Sequence, residues 1–122
     1  MNLWQAARNW VGISFLGLAT GAFAADTVTF DLRIVERKAE GGVRTVRVPQ
    51  GAKVVLRIRS DEAMKVHVHG YDVEQRAKPG EVATVTLEAR WTGRFPVTAH
   101  LPPSKGAHGR EPTLLYLEVH PE

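Results

Sequence analysis

The chain has 122 residues, with 16 Lys+Arg against 13 Asp+Glu, a formal net charge of +3, five histidines and no cysteine. The absence of cysteine excludes disulfides, thiolate metal ligands and thiol catalysis. A charge surplus this small, with both signs interleaved along the chain and no aromatic residues alternating with a basic stripe, is not a nucleic-acid footprint.

Residues 1–24 read MNLWQAARNWVGISFLGLATGAFA. Arg8 supplies a positive start, Val11 to Leu18 a short apolar run, and Ala22-Phe23-Ala24 a small-x-small end, with no acidic residue before Asp26. That is the pattern of a secretory signal peptide, and the apolar run falls short of the about 20 residues that span a bilayer. The expectation is a leader over 1–24, cleaved on export, and one mature domain over 25–122 in the periplasm, with no transmembrane segment after cleavage. A domain of that size buries one core, not two.

From Thr27 onward, strict alternation dominates. Val28, Phe30, Leu32 and Ile34 share one face, with Thr29, Asp31 and Arg33 on the other; a half-buried strand has this pattern. A Glu40-Gly41-Gly42 turn leads to an alternating segment over 43–48. Pro49-Gln50-Gly51 leads to Lys53–Ser60, with Val54, Leu56 and Ile58 inward. A short strand is expected from Met64 to His69, then a turn at Lys78-Pro79-Gly80-Glu81, then a strand over Val82–Glu88 with Ala83, Val85 and Leu87 on one face. Thr92-Gly93 introduces a strand over Arg94–His100 with Phe95, Val97 and Ala99 inward, and a last strand covers Thr113–His120. These are about seven short strands between Gly/Pro turns, without a sustained helical period, and they predict an all-β sandwich. Its expected interior holds Phe30, Leu32, Leu56, Ile58, Val66, Val68, Leu87, Phe95, Val97, Leu115 and Leu117. Between the last two strands lies a Pro/Gly-rich loop, LPPSKGAHGREP; irregular loops of that length are often functional.

All five histidines, His67, His69, His100, His108 and His120, fall in the C-terminal half. His67 and His69 stand at i and i+2 on one strand and so point to one face, with Val66 and Val68 on the other. His100 ends the next-to-last strand and His108 lies in the loop after it, so two strand ends and one loop can bring several imidazoles together. Imidazole suits copper(II), zinc and nickel, and the Met64 thioether would add affinity for copper(I). The candidate metal ligands are therefore His67, His69, His100, His108 and Met64, with His120 set aside as a solvated residue. Asp72, near His69, could orient an imidazole. The alternative at this level is an exposed His-x-His pair without a metal.

Enzyme signatures are weak. Neither Ser60 nor Ser104 has the glycine flanks of a nucleophile elbow, and a three-histidine zinc hydrolase would lack an evident general base. No enzymatic activity is expected.

The order of features resembles the cupredoxin family. Val48-Pro49-Gln50-Gly51 precedes an alternating strand, a histidine follows a few residues later at His67 or His69, and Lys78-Pro79-Gly80 leads into the Val/Thr-rich strand 82–87. Gly93-Arg94-Phe95, a ligand-type loop and the strand Leu114–Val119 close the chain. Val66-His67-Val68-His69-Gly70 is similar, more weakly, to the His-x-His-Gly segments of multicopper oxidases. The resemblance spans nearly all of 25–122 and implies a cupredoxin-like Greek-key β-sandwich. One departure is decisive: the family's cysteine would fall near Ala99, beside His100, and the chain has none. Copper–thiolate bonding makes a blue-copper centre, so blue-copper electron transfer is excluded. What the resemblance implies is copper binding, storage or delivery at a histidine-based site, with copper ahead of zinc and a periplasmic or membrane protein as partner. The alternative is a metal-free structural or interaction module, because fold does not fix function.

Overall fold

The computed structural model describes residues 26–101 and 111–122, and the expected leader over 1–24 lies outside them. Nine strands follow one another without a helix among the described residues: β1 (Thr27–Val35), β2 (Lys38–Ala39), β3 (Arg44–Pro49), β4 (Lys53–Ser60), β5 (Met64–Val68), β6 (Val73–Ala77), β7 (Val82–Glu88), β8 (Gly93–His100) and β9 (Thr113–His120). They form a four-stranded sheet ordered β2-β1-β4-β7 and a five-stranded sheet ordered β3-β9-β8-β5-β6.

Each sheet is mixed. β1 runs parallel to β4, and β3 runs parallel to β9; every other pairing is antiparallel. The alternation in the sequence sets which residues meet. Leu32, Ile34, Val54, Leu56, Ile58, Val85 and Leu87 face inward from the four-stranded sheet. Val46, Val48, Val66, Val68, Val97, Leu115 and Leu117 are buried from the five-stranded one. Burying each such side chain contributes about 1.5–3 kcal/mol, so the stability of this cysteine-free domain rests on this one apolar layer.

The all-β sandwich is as expected, with two strands more than the seven read from the alternation. β2 is reached by the two-residue loop Glu36-Arg37, both residues at positive φ (51° and 67°), the conformation of the tight hairpin turns that normally select Asn-Gly. Two long-range contacts hold it: the Glu36 amide donates to Asp61 Oδ2 at 3.0 Å, and the Arg37 guanidinium grips both carboxylate oxygens of Glu62 at 3.0 and 2.8 Å. β6 reads Val-Glu-Gln-Arg-Ala and pairs only with β5 in its sheet. An edge strand with polar residues on both faces carries no clean period-2 signal.

Nine of the eleven expected interior residues are buried, while Phe30 and Phe95 are only partly so. Phe95 packs edge-on against Tyr71, ring centroids 4.8 Å apart, and Tyr71 in turn meets Trp91 at 5.1 Å. These rings cover the end of the sandwich where the 69–72 turn passes over β8. Gly70 permits the close approach. Its φ is +86°, and a Cβ there would lie 2.5 Å from Phe95 Cδ1, so both the backbone conformation and the ring position require glycine.

Candidate functional site

The pleat of β5 sorts its residues cleanly. Met64, Val66 and Val68 are buried on the inner face, while Lys65 and His67 are half-exposed on the outer one. His69 begins the turn after β5 but stays anchored to the sheet, its backbone amide donating to the Pro96 carbonyl at 3.0 Å. The two imidazoles sit side by side, ring centroids 4.3 Å apart, as the i, i+2 spacing predicts.

On the adjacent strand β8, Thr98 pairs directly with His67, and His100 with Lys65. Thr98 is nearly buried although it lies in the outward row of β8. Its hydroxyl sits between His69 Nε2, at 2.9 Å, and Glu111 Oε2, at 3.2 Å. Glu111 lies just before β9, where the β8–β9 register shifts between Val97 and Thr98 and the Ala99 amide donates to the Pro112 carbonyl at 3.0 Å. Its second oxygen, Oε1, takes a 2.7 Å hydrogen bond from His100 Nδ1, and Oε2 also lies 3.7 Å from His69 Nε2. One carboxylate therefore ties two histidines and a threonine into a single polar patch on the outer face of the five-stranded sheet.

The hydrogen bonds assign the tautomers. Thr98 has one hydroxyl proton; given to Glu111, it leaves the Thr98 oxygen to accept from His69 Nε2–H. Glu111 Oε1 has no proton to give, so His100 Nδ1 carries one. In the neutral rings, His69 Nδ1 and His100 Nε2 are then the lone-pair nitrogens. A histidine donating its other ring N–H to a carboxylate or its relay is the arrangement that orients metal-ligating imidazoles. The ring nitrogens of His67 make no hydrogen bond among the described residues.

The remaining sequence-derived candidates separate from this patch. The Met64 thioether lies within the core, on the opposite face of β5 from His67 and His69. His108 lies outside the described residues. His120 is at the end of β9, paired in register with Pro49, its Nε2 2.9 Å from Glu118 Oε1 without the directionality of a hydrogen bond. Asp72 occupies a turn at φ +51°, and the carboxylate that faces His69 is that of Glu111. Sequence reading passed over both Glu111 and Thr98. The available signals were a carboxylate in the histidine-bearing loop and a hydroxyl two residues before His100 on its own strand face.

Among the described residues no three metal-ligating side chains converge into a ready cluster. The donor types, imidazole nitrogens with a carboxylate beside them on an exposed face, are ones that copper(II) accepts, as zinc and nickel accept imidazole. The Glu111 carboxyl is held below its ordinary value, first by the hydrogen bond from His100; desolvation opposes this, and the hydrogen bond from Thr98 and the charge that His100 and His69 carry when protonated add to the lowering. A carboxylate with a depressed folded-state pKa contributes stability that is fully present above the unfolded value, about 4.3, and is lost as pH falls through the lower folded value. Glu111→Gln should flatten the acid limb of a stability-versus-pH curve measured by urea denaturation between pH 3 and 6. An unchanged curve would mean that the carboxylate makes no such contacts in solution.

No family model and no curated protein matches the chain. Solved structures do. A chain of a heme-copper terminal oxidase dimer matches over 80% of this chain and 66% of its own, with 20% identity and a TM-score of 0.60. A multi-copper oxidase from Pseudomonas thermotolerans matches over 80% of this chain and 30% of its own, with 20% identity and a TM-score of 0.61. Auracyanin A, a "blue" copper protein from the green thermophilic photosynthetic bacterium Chloroflexus aurantiacus, matches over 77% of this chain and 99% of its own, with 15% identity and a TM-score of 0.55. This chain thus spans less than two thirds of the oxidase chains, and nearly the whole of auracyanin A. At these identities the shared property is the fold, a cupredoxin-like β-sandwich.

Proposed function

We propose that this cysteine-free chain of cupredoxin fold is a copper-binding protein of the periplasm, acting in copper binding, storage or delivery rather than in catalysis or blue-copper electron transfer. The observation that carries the reading is the paired His67 and His69 imidazoles on the outer sheet face, with His69 and His100 oriented through one carboxylate. Support comes from the fold, which it shares with proteins named as copper oxidases and a blue copper protein.

The residues that would hold the ion are His67, His69 and His100, with Glu111 orienting the latter two. Bound copper would supply a site for transfer to a partner protein in the periplasm or its membranes. His69 Nδ1 and His100 Nε2 are the atoms free to coordinate, and Thr98 and Glu111 keep the opposite ring nitrogens protonated. Because each imidazole must be neutral to coordinate, acidification competes with binding. Copper titration of the purified domain tests the reading, with electron spin resonance expected to show the tetragonal pattern of N and O ligands and no intense blue colour.

A second reading keeps the fold without the metal, as an interaction module. The hydrogen bonds of Glu111 favour it, since both of its carboxylate oxygens are already engaged by His100 and Thr98. It predicts weak, non-stoichiometric copper binding that the His67→Ala/His69→Ala change leaves unaltered.

Export is the other part of the proposal. Protein recovered from the periplasm should begin at Ala25, or at Asp26 if cleavage slips by one residue, as N-terminal sequencing or intact mass would show. A full-length mass in the membrane fraction would instead make residues 1–24 an anchor.

A further inference from the structure

At the end of the five-stranded sheet where β5 begins and β6 and β8 end, the surface opens into a cleft of about 300 Å³. Its floor is apolar, made by Met64 and Ala77, both buried, and its wall is Leu101. Ala63, exposed, stands at the mouth. The rim is cationic: Lys65 and Arg76, directly paired across β5 and β6, together with Lys78. None of these three makes an ion pair with another described residue. His100 borders the cleft, with its Nδ1 turned to Glu111.

Three cations with no ion-pair partner among the described residues, set around a buried apolar floor, are not needed for the fold. An edge strand is kept soluble by charge of either sign, and β6 carries Glu74 as well as Arg76; the charged side chains that line the concavity, however, are all positive. The volume lies at the lower end of the range for small-molecule sites, about 300–1,000 Å³. The composition is also that of a ligand site, an apolar lining with a few placed polar groups. We propose that this cleft binds a small organic anion with an apolar body, of the monocarboxylate class. Its hydrocarbon part would lie on Met64, Ala77 and Leu101, and its carboxylate would be met by Lys65, Arg76 and Lys78. The cleft adjoins the outer face that carries His67 and His69, with Lys65 in the same row of β5 and His100 at its border, and it does not require copper.

The test uses chelator-treated full mature protein and octanoate as the probe, followed by two-dimensional amide NMR. Octanoate should give saturable shifts centred on Met64, Ala77 and Leu101, with octylamine and octanol at least about tenfold weaker, as befits a charge-assisted contact. Lys65→Glu/Arg76→Glu should weaken octanoate binding by at least about tenfold, and Ala63→Trp, which fills the mouth from an exposed position, should abolish it. Spectral dispersion of each variant certifies its fold. Absence of saturable shifts, equal binding of octylamine, or an unchanged titration in Ala63→Trp would each overturn the proposal. Because the protein is metal-free throughout, these outcomes leave the copper reading to its own titration.

Discussion

Copper(II) titrated into the metal-free domain is expected to bind one ion per chain, and His67→Ala/His69→Ala to weaken that binding by more than about 100-fold. The scale follows from the known weight of the residues around a metal: partners that merely orient a ligand are worth about 10–100-fold in affinity, and these two supply ligands. His100→Ala should weaken binding strongly as well. Glu111→Gln should fall in the orienting range, about 10–100-fold, because an amide can still accept from His100 but carries no charge to favour its N–H. His120→Ala should leave binding unchanged, since that ring sits with Glu118 at the end of β9. The pattern discriminates sharply. Loss in the double variant with no effect at His120 locates the ion on the outer sheet face. Equal binding in all variants would remove copper from the account and leave the interaction module.

Ile58→Ala is expected to be the costliest of the core truncations, at about 2–5 kcal/mol. Ile58 has no exposed surface; it lies on β4, between Leu32 of β1 and Ala83 of β7. A central strand cannot shift to close the void, so the cavity persists alongside the lost burial. Phe95→Ala would cost about 3–5 kcal/mol if the ring were fully buried, but it is partly exposed and rests on Tyr71. Phe95→Ala should therefore cost less than Ile58→Ala. Urea denaturation of the two variants decides the order, and a larger loss at Phe95 would mean that the aromatic cluster, not the strand core, dominates stability.

Much of the fold is legible in the sequence because its strands alternate. The inward rows Leu32/Ile34, Val54/Leu56/Ile58 and Ala83/Val85/Leu87 follow from period 2 alone, and the same rule places His67 and His69 together on the face opposite Val66 and Val68. That geometry also separates Met64 from the histidines: by parity it belongs with Val66 in the core. The lack of cysteine fixes another property without any structure, since no arrangement of this chain can make a copper–thiolate bond.

Long-range pairing decided the rest. β2 depends on a Glu36-Arg37 turn at positive φ, which local preference disfavours and which contacts to Asp61 and Glu62, 25 residues away, hold in place. β6 depends on having β5 as a neighbour, its own sequence being polar on both faces. The joining of His69 to His100 depends on Glu111, which reaches them because β9 pairs with β8 through a register shift. Side-chain parity is a local property of an extended chain, so one sequence determines it. Which strands become neighbours, and which carboxylate arrives beside which imidazole, is set only when distant segments pack against each other.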